Sequence, residues 1–152
     1  MSQAGAPYAM PAAGTPFDAA QLARMMNGRG HGGFLGLHYL AHGRDWVELG
    51  LPWREDLVGV PETGVLASGP IISLLDNCTS MSVWVKSGVF RPQVTLDLRV
   101  DYVRAASPGR TVIARAECYR ITRSAAFVRG LAHDGELDDP VAHAAGVFMA
   151  MA

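Results

Sequence analysis

The chain has little lysine, little cysteine and no long apolar run, and each shortage removes a class of protein. Of 13 basic residues only Lys86 is a lysine, and 14 acidic residues bring the formal net charge to −1. A charge so near neutral gives no bulk attraction to nucleic acid or to an anionic membrane, so neither is expected as a partner. The two cysteines, Cys78 and Cys118, stand alone in predicted regular elements, which argues against a disulfide framework or a cysteine-bearing metal site. Both read as buried thiols in a reducing compartment. No stretch approaches the roughly 18 apolar residues of a membrane span, and the first residues lack the basic start and apolar run of a signal peptide. A cytoplasmic location is expected. His38, His42, His133 and His143 lack zinc-ligand spacing, and no metal is expected.

What is present is a globular composition, 49% hydrophobic and 18% charged over 152 residues, which suits one domain with a real core. Residues 1–16, rich in Ala, Pro and Gly, read as a flexible leader to a single domain over 17–152. The apolar spacing of Phe17, Leu22, Met25 and Met26 predicts a short amphipathic helix that stops at Asn27-Gly28. The run Gly28–Gly33 then reads as a glycine-rich connector. His31-Gly32-Gly33 lies within it, far ahead of the main helix, and His31 is only a minor candidate for a pocket residue.

From Phe34 the period shifts towards two. Strands are predicted at 35–41 and 45–51, a loop from Pro52 to Pro61, and a helix over about 70–87 that ends at Ser87-Gly88. Four strand-like segments follow, at 94–102, 110–121, 125–133 and 141–151, in a meander with short turns. In the first of them apolar and polar residues alternate strictly from Val94 to Tyr102. The order predicts an α+β fold, an antiparallel sheet with one long helix against a face.

On that helix Ile71, Leu74, Leu75, Cys78, Met81, Ser82 and Val85 form the predicted buried stripe. Asp76 falls beside it with Ile72, Ser73, Thr79, Ser80 and Val83, on a mixed face where a carboxylate is costly unless paired, hydrated or used. Ser68 and Gly69 sit where an N-cap belongs, and Pro70 at the first helical position. Free N–H groups at such a start can polarise a carbonyl or bind an anion. Ser68, Ser73 and Ser80 lack a G-x-S-x-G elbow, so a serine hydrolase has little support.

The segment Gly64-Val65-Leu66-Ala67-Ser68-Gly69-Pro70-Ile71-Ile72-Ser73-Leu74-Leu75-Asp76 resembles the G-x-x-HGG-x-x-x-x-L-x-D opening of the central helix in hotdog-fold acyl-CoA thioesterases. The likeness is to the phenylacetate-degradation (PaaI-like) and small vertebrate thioesterase branch. It continues through Thr95–Tyr102 and Gly146-Val147-Phe148, and covers about residues 34–151. The resemblance implies a hotdog fold, an antiparallel sheet wrapped around a long central helix. It implies hydrolysis of an acyl-CoA thioester, with Asp76 as nucleophile or general base, the Ser68 and Gly69 amides as oxyanion hole, and Thr95 helping to hold the attacking water. No cofactor is implied beyond coenzyme A as part of the substrate. It also implies a site shared across a homodimer, or across a dimer-of-dimers tetramer. Ala67 stands where the family has His, Ser68 for its first Gly, and Pro61 for an upstream Asn. These departures keep open a second reading, a catalytically weak protein that binds an acyl-CoA or acylated carrier. Eight of twelve arginines lie from Arg91 onward. Arg91, Arg120 and Arg123 flank strand ends, where a coenzyme A phosphate could be gripped. The loop at Trp53 could wall an acyl pocket.

Overall fold

The computed structural model describes residues 10–26 and 28–151. In chain order these form α1 (Ala19–Met26), α2 (Gly30–Leu35), β1 (His38–His42), β2 (Val47–Leu51), a 3-10 turn at Glu55–Leu57, β3 (Val58–Val60), β4 (Val65–Leu66), α3 (Ser68–Ser87), β5 (Gln93–Tyr102), β6 (Val112–Ile121), β7 (Ala125–His133) and β8 (Ala142–Ala150). Of the expected leader, residues 1–9 lie outside the described residues. Residues 14–17 bond to the segment after α3: Gly14 N–H donates to the Phe90 carbonyl, Phe90 N–H to Thr15, and Phe17 N–H to Gly88. Asn27, expected to end the first helix, also lies outside the described residues; α1 ends at Met26.

Six strands form one antiparallel sheet in the order β1-β2-β6-β7-β8-β5, with β3 and β4 a separate small hairpin. This corrects the simple meander. β5 pairs with β8 and not with its successor β6, whose other edge is taken by β2. The connection 103–111 is therefore no tight hairpin but a crossing, and it is stapled. Arg104 Nη2 donates to Asp134 Oδ1 at 2.6 Å, and the Ser107 N–H donates to Asp134 Oδ2 at 2.6 Å.

Helix α3 lies on one face of this sheet, against β2, β5, β6, β7 and β8. Every residue of its predicted apolar stripe, from Ile71 to Val85, is buried. Losing one such side chain, as in Leu74→Ala, costs about 2–5 kcal/mol. The helix stops at Gly88, which takes a left-handed φ of 71° and donates its N–H to the Trp84 carbonyl, a conformation glycine adopts without steric cost. This is the hotdog arrangement, a sheet wrapped around a central helix.

The glycine-rich connector is a helix. Gly30–Leu35 coil into α2, and Gly36, at φ 75°, closes it while Leu37 N–H bonds back to the Gly32 carbonyl. Each helical glycine costs about 1 kcal/mol. Burying Leu35 and Leu37, at roughly 1.5–3 kcal/mol each, offsets that penalty and overrides the local preference.

Candidate functional site

The site begins where β4 hands the chain to α3. The N-cap is Ala67, extended at φ −62° and ψ 152°, with no side-chain cap. That moves the expected cap one residue earlier and puts Ser68, Gly69 and Pro70 inside the first turn. The reason is strand pairing: Ala67 N–H is spent on the Leu57 carbonyl at 2.9 Å, which fixes the last extended residue. Pro70 is tolerated there because first-turn N–H groups have no intrahelical partner. The amides left at the exposed helix start are those of Ser68 and Gly69. Tyr102 at the end of β5 pins this turn, its hydroxyl donating to the Ser68 carbonyl at 2.8 Å. Burial pushes the Tyr102 phenol up, so it remains a donor.

Two turns along, Asp76 is half-buried and accepts a hydrogen bond at Oδ1 from Thr95 Oγ1 at 2.9 Å. Strict alternation in β5 would turn Thr95 away from the helix. A β-bulge prevents this: Thr95 pairs with Phe148 and Asp97 with Val147, so Leu96 is an extra residue. The bulge flips parity along the strand. Gln93 and Thr95 before it share the helix-facing side with Leu98, Val100 and Tyr102 after it. Leu96 is left 57% exposed. Gln93 completes the seam, with Nε2 donating to the Ser80 carbonyl and Oγ at 2.7 and 2.8 Å. β5 thus fastens α3 at three points.

Gly146 sits opposite the bulge. A Cβ there would meet the Asp97 carbonyl oxygen at 2.7 Å, so only glycine lets β8 approach the bulged strand this closely.

A cavity of about 320 Å³ opens at the α3 start, lined by His31, Phe34, Leu57, Ala67, Gly69 and Ser73 among others. His31, carried in by α2, has Nε2 at 3.0 Å from Ser73 Oγ. Trp53 is not on this cavity; its indole N–H donates to the Gly64 carbonyl at 2.8 Å. The apolar wall comes from Phe34 and Leu57 instead. Two polar side chains that could stand in for the missing Asn are already engaged: Asn77 donates its amide to the Ser73 carbonyl and Thr63 its hydroxyl to the Val60 carbonyl.

Arg91 and Arg123 line a second cavity, of about 290 Å³, by the last turn of α3. Arg120 is exposed and is not part of it. Among the described residues no group of His, Cys, Asp or Glu is arranged to hold a metal ion, and no helix is long and apolar enough to cross a membrane. Both cysteines are buried. Sequence reasoning gave no site role to Tyr102, Gln93 or Ser73; for Gln93 the cause is the bulge, which hides which strand residues before Leu96 face the helix.

No curated protein matches the chain. Among solved structures, a Pseudomonas aeruginosa protein is 38% identical, with a TM-score of 0.71 over 77% of this chain and 87% of that one. A Haemophilus influenzae thioesterase aligns at a TM-score of 0.78 over 91% of this chain and 94% of its own, at 19% identity. A mutant of the phenylacetic acid degradation protein PaaI from Thermus thermophilus aligns at 0.66 over 78% and 96%, at 24% identity. At those two identities the likeness is one of fold. The thioesterase superfamily profile matches residues 63–141, the stretch that holds the α3 start, Asp76 and Thr95, and the chain therefore belongs to the thioesterase superfamily.

Proposed function

We propose that this chain hydrolyses an acyl-CoA thioester, with Asp76 as general base and the Ser68 and Gly69 amides as oxyanion hole. The observation that carries this reading is the Thr95 hydrogen bond to Asp76 Oδ1. It orients a helix carboxylate and leaves Oδ2 without a bonded partner among the described residues, free to take a proton from water. The Thr95 lone pairs can accept from that same water. Hydroxide then adds to the thioester carbon, and the developing oxyanion is stabilised by N–H groups at the positive end of α3.

The two tasks are assigned to different subunits: Gly69 and Asp76 are seven residues apart on a single helix, about 10 Å along its axis, and facing helices from two copies bring a helix start and an Asp76 to the same thioester more closely than one helix does. The reading therefore pairs the helix start of one subunit with the partner's Asp76. β5 supports it as a free edge with Val94 and Leu96 exposed, the kind of edge that a second copy covers. A homodimer, alone or doubled into a tetramer, follows. Arg91 and Arg123 would take coenzyme A phosphates by bidentate contacts, and Arg120 would contribute only from outside their cavity. The branch proposed is the PaaI-like and small vertebrate one, with a cytoplasmic location and a single domain over 17–152.

Release of free thiol from short, medium and aromatic acyl-CoAs tests the reading. Wild type should turn over at least one class, and Asp76→Asn should lose about 10²–10⁴-fold in kcat. Ala67 and Pro61 favour the second reading, binding without turnover. Saturable acyl-CoA binding with no thiol release from any member of the panel would select it.

A further inference from the structure

We propose that His31 is a catalytic residue that protonates the leaving sulfur; this rests on the Asp76 and helix-start reading above. The observation behind it is the 3.0 Å contact of His31 Nε2 with Ser73 Oγ, made inside the cavity onto which the α3 start opens. Ser73 lies four residues beyond Gly69, about 6 Å along the helix axis. An imidazole held there flanks a carbonyl whose oxygen rests on the first-turn amides, within reach of the atom bonded to the carbonyl carbon. Ala67 contributes only a methyl group at the helix start, and among the residues lining the cavity His31 is the one that carries an imidazole.

The other ionisable group on the cavity wall is Asp56. Arg54 engages both of its oxygens, Nε to Oδ1 at 3.0 Å and Nη2 to Oδ2 at 2.5 Å, and that guanidinium lowers its pKa below the ordinary value. Asp56 therefore stays ionised and is no proton donor at neutral pH. His31 is left as the wall's side chain that can donate to sulfur through a ring N–H.

The partner's Asp76 takes one proton from water while the oxygen of that water bonds to the carbonyl carbon. The tetrahedral intermediate collapses, and the C–S electron pair leaves with sulfur. The imidazolium of His31 gives its proton to that sulfur, releasing coenzyme A as the thiol. The proton held by Asp76 returns to His31 through solvent, and both groups are reset.

A general acid matters in proportion to how badly the leaving group needs a proton, and a structural residue does not discriminate. The test uses one acyl group on two thiols, as its coenzyme A ester and as a thiophenol ester whose thiolate departs unaided. His31→Ala should lower kcat on the coenzyme A ester by about 10²-fold or more and leave thiophenol ester turnover nearly intact. His31→Gln, which can still hydrogen-bond Ser73, should show the same selective loss. Equal losses on both esters, rescue by Gln, or no loss on the coenzyme A ester would each overturn the acid role. Asp76→Asn serves as the separate control. It should lose both esters, and if it loses neither, the underlying reading fails and not the assignment of His31 alone.

Discussion

Thr95 Oγ1 and Asp76 Oδ1 are joined at 2.9 Å only because β5 carries an extra residue immediately after Thr95. Without the bulge at Leu96 the hydroxyl would face solvent, and the carboxylate would have no strand partner. The bond is therefore a product of sheet register, and its loss should be felt in chemistry more than in stability. Thr95→Val keeps shape and removes the hydroxyl. A hydrogen bond to a charged group is worth about 1.5–3 kcal/mol, or roughly 10–100-fold in rate. Steady-state kinetics should show that loss in kcat with KM little changed.

Gly146 is the other half of the same register. In Gly146→Ala the new Cβ would fall 2.7 Å from the Asp97 carbonyl, forcing β8 and β5 apart. The expected cost is about 1–3 kcal/mol in urea unfolding, together with a kcat loss no smaller than that of Thr95→Val, since the same displacement moves Thr95.

Asp134 should make stability depend on pH in a defined direction. Its carboxylate is buried and held by Arg104 and the Ser107 N–H, and the Arg104 guanidinium keeps it well below the usual carboxylate range. A lowered folded pKa stabilises above the unfolded value of about 3.9 and is withdrawn as pH falls from there through the folded value. Asp134→Asn should therefore cost about 1.5–3 kcal/mol near neutrality. The gap to wild type in urea midpoint should hold from about pH 5 to 8 and close below about pH 4.

Cys78 and Cys118 should not react in the native state. Burial pushes both thiols up, and the Cys78 S–H donates to the Val47 and Ala114 carbonyls at 3.4 Å. The thiolate is the reactive form, so a thiol reagent should label neither until denaturant is added.

Much of this was legible from residues alone, and the rest has identifiable physical causes. The α3 stripe was readable because its 3–4 spacing survives folding unchanged, and the stop at Gly88 because left-handed backbone has few other tenants. The order of strands was not, since a turn motif such as Ser107-Pro108-Gly109 does not say which edge the next strand will choose. Thr95 was found through a family resemblance, while its own strand pattern pointed it outward; a bulge leaves no mark in composition. His31 was hidden by its glycines. Local propensity argued for a connector, and the burial of Leu35 and Leu37 decided for a helix.

The central claim is that Asp76 of one subunit works on a thioester held by the helix start of the other. Complementation tests it most directly. Asp76→Asn removes the base, and Ser68→Pro removes one first-turn N–H at the first helical position, where proline fits because the preceding Ala67 is already extended. Each variant alone should be close to inactive. In an equal mixture refolded together, half the dimers are mixed, and each mixed dimer rebuilds one intact site under two-fold symmetry. The account predicts recovery of about a quarter of wild-type thiol release. No recovery, with mixed dimers shown to form, would contradict it.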